Sequence, residues 1–258
     1  MATVDSFTFK TTLKTILSGI SSILNPRVMI IFLFMVASLF TIAYFGLYSM
    51  LNVIIQSPAT ANYTAYYPSY IIPIALGFVL VEFFLFFYLL SSALEMKKRI
   101  EFKAGVNLSD AFLTGLKKYP KFIIATIAQM FLSIGGLFLL IVPGVYLGTK
   151  SIFFNIEAHN GETLPHSLKD TFTITKGYFY RILPVFILYS ALFLVLAYTT
   201  LNSGLDIFWV YLLSSIILSF CVTAYTFSSD DLYHALKRAK SGVGIKSTLF
   251  HRMMGDSL

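Results

Sequence analysis

The sequence predicts an all-α fold, a polytopic integral membrane protein with six transmembrane helices and amphipathic helices along the cytoplasmic face. Three observations carry this. Of 258 residues, 57% are hydrophobic and 12% charged, against roughly 45–50% and 25% in globular domains. Apolar runs longer than ~18 residues recur, which is the length a helix needs to cross hydrocarbon. Lys and Arg are confined to alternate connections, as the positive-inside bias requires.

Residues 7–25 place Phe9, Leu13, Ile16, Leu17, Ile20, Ile23 and Leu24 at helical spacing, with Lys10, Thr11, Lys14, Ser18 and Ser21 opposite. This is an interfacial amphipathic helix, ended by Asn25-Pro26. No apolar core followed by a small-residue cleavage site precedes it, so no cleaved signal peptide is expected. The spans follow at about 28–55, 71–94, 122–142, 145–158, 182–200 and 208–227. Ser229 and Asp230-Asp231 then read as the start of a separate basic tail helix within a cytoplasmic tail, 228–258.

Between the second and third spans, Lys97 to Lys121 holds seven cations. Inside it Leu108, Ala111, Phe112, Leu116 and Tyr119 form a second amphipathic stripe, ended by Pro120. Leu164, Leu168, Phe172 and Thr175 mark a third, closed by Gly177. The loops 56–69, 142–144 and 201–206 carry no Lys or Arg, whereas the other connections and both termini do. Both termini are therefore expected in the cytoplasm. Tyr63, Tyr66, Tyr67 and Tyr70 read as an outer aromatic belt.

Amphipathic helix, basic hinge and hairpin of spans recur three times, with Arg27, Lys121 and Arg181 at the hinges, a possible threefold internal repeat. A second reading stays open, because any cytoplasmic span start attracts a cation.

Pro143-Gly144 removes a backbone donor and supplies a permissive residue, so a helix break is expected there. The segment 145–158 that follows would make roughly 21 Å of helix at 1.5 Å per residue, less than the ~30 Å hydrocarbon core. It is either a stubby structural helix after an outer turn or part of a substrate-lining break. Lys150 is the one cation expected within a span, and Glu82 the one clear anion. They either pair at mid-depth or stand apart, Lys150 snorkelling and Glu82 hydrogen-bonded. Lys117, Lys118, Lys121, Lys169 and Lys176, with Arg27 and Arg181, are candidate contacts for anionic headgroups.

Glu157, His159, Glu162 and His166 read as a solvated polar turn rather than a metal set, since Gly161 and Pro165 interrupt any single helical face. No Ser-His-Asp set, phosphate-cradling glycine loop or Cys-His arrangement occurs, and Cys221 is the single cysteine. Neither enzyme activity, cofactor nor metal is expected. The net charge of +7 sits beside the spans, which suits membrane contact and not nucleic acid. The function expected is a non-enzymatic protein of the cytoplasmic membrane that organises anionic lipid, a partner membrane protein or a second copy of itself. The alternative is a small-solute or lipid transporter with its site near Pro143-Gly144 and Lys150.

The stretch formed by Pro143, Gly144, Tyr146, Lys150, Glu157, Gly161, Ser167, Leu168, Lys169, Thr175, Gly177, Tyr178 and Arg181 resembles a prokaryotic family of six-span membrane proteins. That family includes the membrane domain of some glycerophosphodiester phosphodiesterases. The resemblance implies six spans but no activity, because the barrel motifs of the phosphodiesterase are missing from this chain.

The orientation is open to a direct test. In a Cys221→Ser background, cysteines at Ala61 and Gly204 should react with an impermeant maleimide on whole cells. Those at Gly105 and Gly161 should react only after permeabilisation; reversed labelling overturns the six-span topology.

Overall fold

The computed structural model describes residues 9–44, 71–103, 107–139, 141–202, 204 and 206–241. Every regular element among them is helical: α1 (Phe9–Ile23), α2 (Pro26–Thr41), α3 (Ile71–Glu101), α4 (Leu108–Leu139), α5 (Ile141–Lys150), α6 (Phe154–His159), α7 (Leu164–Thr175), α8 (Phe179–Leu201) and α9 (Ile207–Ser241). Four helical stretches, Pro26–Tyr44, Leu76–Glu101, Phe179–Thr200 and Phe208–Lys240, are long and apolar enough to cross a membrane. The rest of the expected first span, the 56–69 loop with its aromatic belt, Gly105 and the tail beyond Ser241 lie outside the described residues.

Several expected boundaries move, each for a local reason. α3 continues past Leu94 to Glu101 because its basic end is paired along the helix. Lys97 reaches Glu101 at 3.2 Å and Arg99 reaches Glu95 at 3.6 Å, and Lys98 and Arg99 suit the negative end of the helix dipole. The stripe at 108–119 is not a separate helix. α4 runs through Pro120 at the cost of one backbone bond and a clash of the ring with the preceding turn. α7 does stop, because Gly177 takes φ +85°, a left-handed conformation that ends a helix cheaply only at glycine. Measured from the basic hinges Lys121 and Arg181, the position matching Gly177 is Lys117, where a side chain makes that turn costly and the helix carries on.

The expected fourth span is two helices. Pro143 and Gly144 fall in the first turn of α5, a position where proline sacrifices no helical bond. The discontinuity follows Lys150, where the Ser151 hydroxyl donates to the carbonyls of Leu147 and Gly148 at 2.8 and 3.4 Å. Phe154 N–H then closes on Ser151 O at 2.9 Å, a tighter turn than the α-helix. The basic tail is likewise not a separate helix. Ser229 and Asp230 are buried mid-helix in α9, which Leu232, Tyr233 and Leu236 extend by packing inward.

The chain divides into two compact units. One comprises 26–116 and 191–223. In it α2 packs along α3, and Glu82 accepts a 2.7 Å hydrogen bond from Ser38 Oγ. Phe40, Tyr44 and Phe208 make edge and stacked ring contacts at 5.2–5.5 Å. The start of α4 lies against the end of α3: Ser91 Oγ donates to Gly115 O at 3.1 Å and Tyr88 OH to Phe112 O at 3.2 Å.

The other unit comprises 1–25, 117–190 and 224–258. Here α1 lies on the C-terminal half of α9, with Ser228 Oγ donating to Ile16 O at 3.4 Å and bonded to Tyr189 OH at 2.8 Å. α6 packs on α7 through Phe154 and Ala158 with Leu164 and Leu168. α1 and the start of α4 thus each sit on a longer helix, and α7 sits on the short α6.

Glycines set the separation at two of them. A Cβ on Gly115 would lie 2.8 Å from Ser92 Cα and 3.0 Å from its N. One on Gly19 would lie 2.7 Å from Ser228 N and 3.0 Å from its Cα. Backbone cannot rotate away as a side chain can, so Gly115→Ala and Gly19→Ala should each cost about 1–3 kcal/mol. A Cβ on Gly77 meets nothing within 4 Å, and Gly77→Ala should be neutral or slightly stabilising. Thermal unfolding in detergent checks this; equal shifts at all three sites would show that close approach is not the cause.

Candidate functional site

Two groups of charged and aromatic side chains meet in the unit that holds α1 and α5–α7. The first centres on Lys150, the last residue of α5. It is only 7% exposed, its ammonium 5.7 Å from the centroid of the Tyr146 ring one turn earlier, within cation–π range. Lys176 and Lys240 are close enough to repel it electrostatically. Lys240, near the end of α9, donates to Thr173 O and lies 5.8 Å from the Tyr178 ring. Arg181 lies 5.7 Å from the same ring, and Tyr146 contacts Phe179 at 5.4 Å. Among the described residues, no carboxylate pairs with Lys150, Lys176 or Lys240.

The second group is satisfied internally. Glu157 in α6 is 2% exposed and accepts a hydrogen bond from Tyr233 OH. Lys237 Nζ donates to that same hydroxyl at 2.8 Å. A buried carboxyl group needs such donors, since stripping it of water without them is costly. Glu157 is thus not part of a solvated turn. His159 is buried too, its ring 5.6 Å from Phe122. Glu162 and His166 are exposed, and His166 Nε2 lies 3.2 Å from Asp170 and 3.8 Å from Glu162. The four residues of the polar turn do not converge.

Of the candidate headgroup cations, Lys117, Lys121, Lys169, Lys176, Arg181 and Arg27 are exposed and Lys118 is half-buried. Lys121 Nζ donates to Gly161 O at 2.8 Å, and Arg181 O accepts from Thr12 Oγ1 at 3.2 Å. Glu82 and Lys150 belong to different units, and each is engaged within its own, Glu82 by Ser38 and Lys150 by the Tyr146 ring.

Tyr233, Lys237 and Lys240 were not foreseen as site residues. A signal for them does exist: Tyr233, Lys237 and Lys240 follow the i, i+4, i+7 spacing of one helical face. It reads as a plain basic tail until α9 is seen to be continuous. Comparison with family models, with curated proteins and with solved structures finds no match to this chain.

The Tyr233–Glu157 bond is testable by stability. Tyr233→Phe leaves a buried carboxyl group short of a donor and should cost about 1–3 kcal/mol. Tyr180→Phe, at a position 83% exposed, should change almost nothing. Unfolding in detergent compares them, and matching midpoints would mean that the buried bond contributes no stability.

Proposed function

We propose that this chain is a non-enzymatic protein of the cytoplasmic membrane, with six spans and both termini in the cytoplasm, that organises anionic lipid along its inner face. On this reading the three amphipathic segments and their basic hinges form a threefold repeat, and the chain belongs with the six-span family that the 143–181 stretch resembles. One observation carries it: α1 and the start of α4 turn small residues inward and present leucine with lysine outward, and α7 likewise buries small residues and exposes lysine.

In α1, Thr12, Thr15 and Gly19 are packed with Ile16 and Ile23, while Leu13 and Leu17, and Leu24 just past its end, stand 48%, 59% and 67% exposed on the side of Lys10 and Lys14. At the start of α4, Ala111 and Gly115 are buried, and Leu113 and Leu116 are exposed next to Lys117. In α7, Ser167, Thr171 and Thr175 are buried, and Lys169 is exposed. In water such leucines would be a liability. At a bilayer interface they enter the acyl boundary while the ammonium groups stay with the headgroups.

A transporter is the second reading. It is favoured by the discontinuity after Lys150, since broken helices with a charged group at the break line substrate sites in several transporter folds.

The lipid reading has a direct test. Each cation near an anionic leaflet contributes about 1 kcal/mol. Changing Lys117, Lys118, Lys121, Lys169 and Arg181 together to Gln should therefore cut the copurified anionic lipid severalfold at unchanged protein yield. Lipid content measured by mass spectrometry that stays at the wild-type level would reduce these cations to topology signals.

A further inference from the structure

We infer that Lys150, Lys176 and Lys240 form one discrete site for a doubly charged phosphate group, either the phosphomonoester headgroup of a lipid or inorganic phosphate. The inference rests on the lipid reading above and narrows it from a charged surface to a single locus.

Lys240, in the last turn of α9, reaches Thr173 O and lies 5.8 Å from the Tyr178 ring, two groups that flank Lys176 in the chain. Lys150, at the end of α5, lies 5.7 Å from the Tyr146 ring, which contacts Phe179 at 5.4 Å. The Lys150 side chain is 7% exposed and its ammonium keeps an opening to solvent, yet among the described residues that ammonium donates to no protein acceptor, and neither does that of Lys176. Lys240 uses one N–H on Thr173 O. The protein thus gathers three cations, one of them on a largely buried side chain, and among the described residues it pairs none of them with a carboxylate. Lysine ammonium groups act as point charges with three donors each. An ordinary ion pair would have answered this electrostatic need, as the carboxyl of Glu157 is answered by Tyr233 nearby.

The chemistry of the missing group follows from the count of charges and donors. A phosphomonoester carries a charge of about −1.5 to −2 near neutral pH and offers three acceptor oxygens. A phosphodiester carries one charge and two free oxygens, so it leaves two of the three positive charges uncompensated and one lysine without an oxygen. The dianion leaves one charge and no lysine unmatched. Tyr146 is 46% exposed, which leaves the Lys150 side of the cluster open to an incoming headgroup. Tyr178, with Lys240 and Arg181 both within 6 Å of its ring, holds the other side.

The test uses the full chain in neutral detergent and native mass spectrometry. It is titrated with short-chain phosphatidic acid, with phosphatidylglycerol of the same acyl length, and with inorganic phosphate. Each charge-assisted bond lost lowers affinity by about tenfold. Wild-type protein should bind phosphatidic acid at least about tenfold more tightly than phosphatidylglycerol, and Lys150→Met and Lys176→Gln should each abolish that preference. Lys176 is exposed, so its variant keeps the test valid where Lys150→Met fails to fold. If inorganic phosphate displaces phosphatidic acid in a Lys176-dependent manner, the site is upheld and its occupant is the soluble ion. Equal affinity for the two lipids in wild-type protein, or an unchanged preference in the Lys176 variant, overturns the site. The five-residue Gln variant described above leaves all three lysines in place. Loss of bulk lipid there with no lipid preference in wild type would sink the site and leave the lipid reading standing.

Discussion

Close backbone approach is the constraint on which the arrangement depends. Gly19 against Ser228 and Gly115 against Ser92 leave no space for a side chain, so the short amphipathic segments lie directly on longer helices. In an apolar solvent there is no hydrophobic gain from pushing leucine against leucine, and contact between small residues becomes the means of association. The same choice determines what faces outward. A helix that packs by glycine, threonine and serine has its leucines to spare, and Leu13, Leu17, Leu113 and Leu116 remain on the surface.

Electrostatics in the unit holding α6 separates into satisfied and unsatisfied groups. Glu157, Tyr233 and Lys237 form a closed chain of donors and acceptors, the condition under which a buried polar group is tolerated. A few residues away along α9, Lys240 lies by Thr173 and Tyr178, on either side of Lys176, and Lys150 lies by Tyr146. Among the described residues, no carboxylate is paired to these lysines. Gathering like charges without a counter-charge is costly, the more so where one stem, that of Lys150, is largely buried. Its persistence is the feature that a purely structural account of this unit leaves without a reason.

Helix boundaries were the least legible feature of the chain. The apolar runs marked where helices would be, and Gly177 marked one true end. Pro120 and Ser229-Asp230 look like equally good punctuation, yet α4 and α9 run through them. Proline costs one bond and a clash, and a buried Ser-Asp pair costs helix propensity, both small beside the packing of neighbouring turns. The break after Lys150 went unseen for the opposite reason. It shows only in the backbone, where Phe154 N–H closes on Ser151 O as a tighter turn. The hydroxyl bonds of Ser151 to Leu147 and Gly148 are of a kind that serine also makes within unbroken helices.

Composition and periodicity by themselves determined that this chain is helical and carries membrane-length apolar stretches, because hydrocarbon leaves the backbone no alternative but to bond within each helix. They also located the amphipathic segments and the candidate cations. Which face of each segment turns inward was decided by tertiary structure, since Ile16 and Leu17 look alike in sequence and differ only in what lies across from them. The same holds for Lys150, Lys176 and Lys240. They are 26 and 64 positions apart in the chain, and only the packing of α5, α7 and α9 makes them one electrostatic unit.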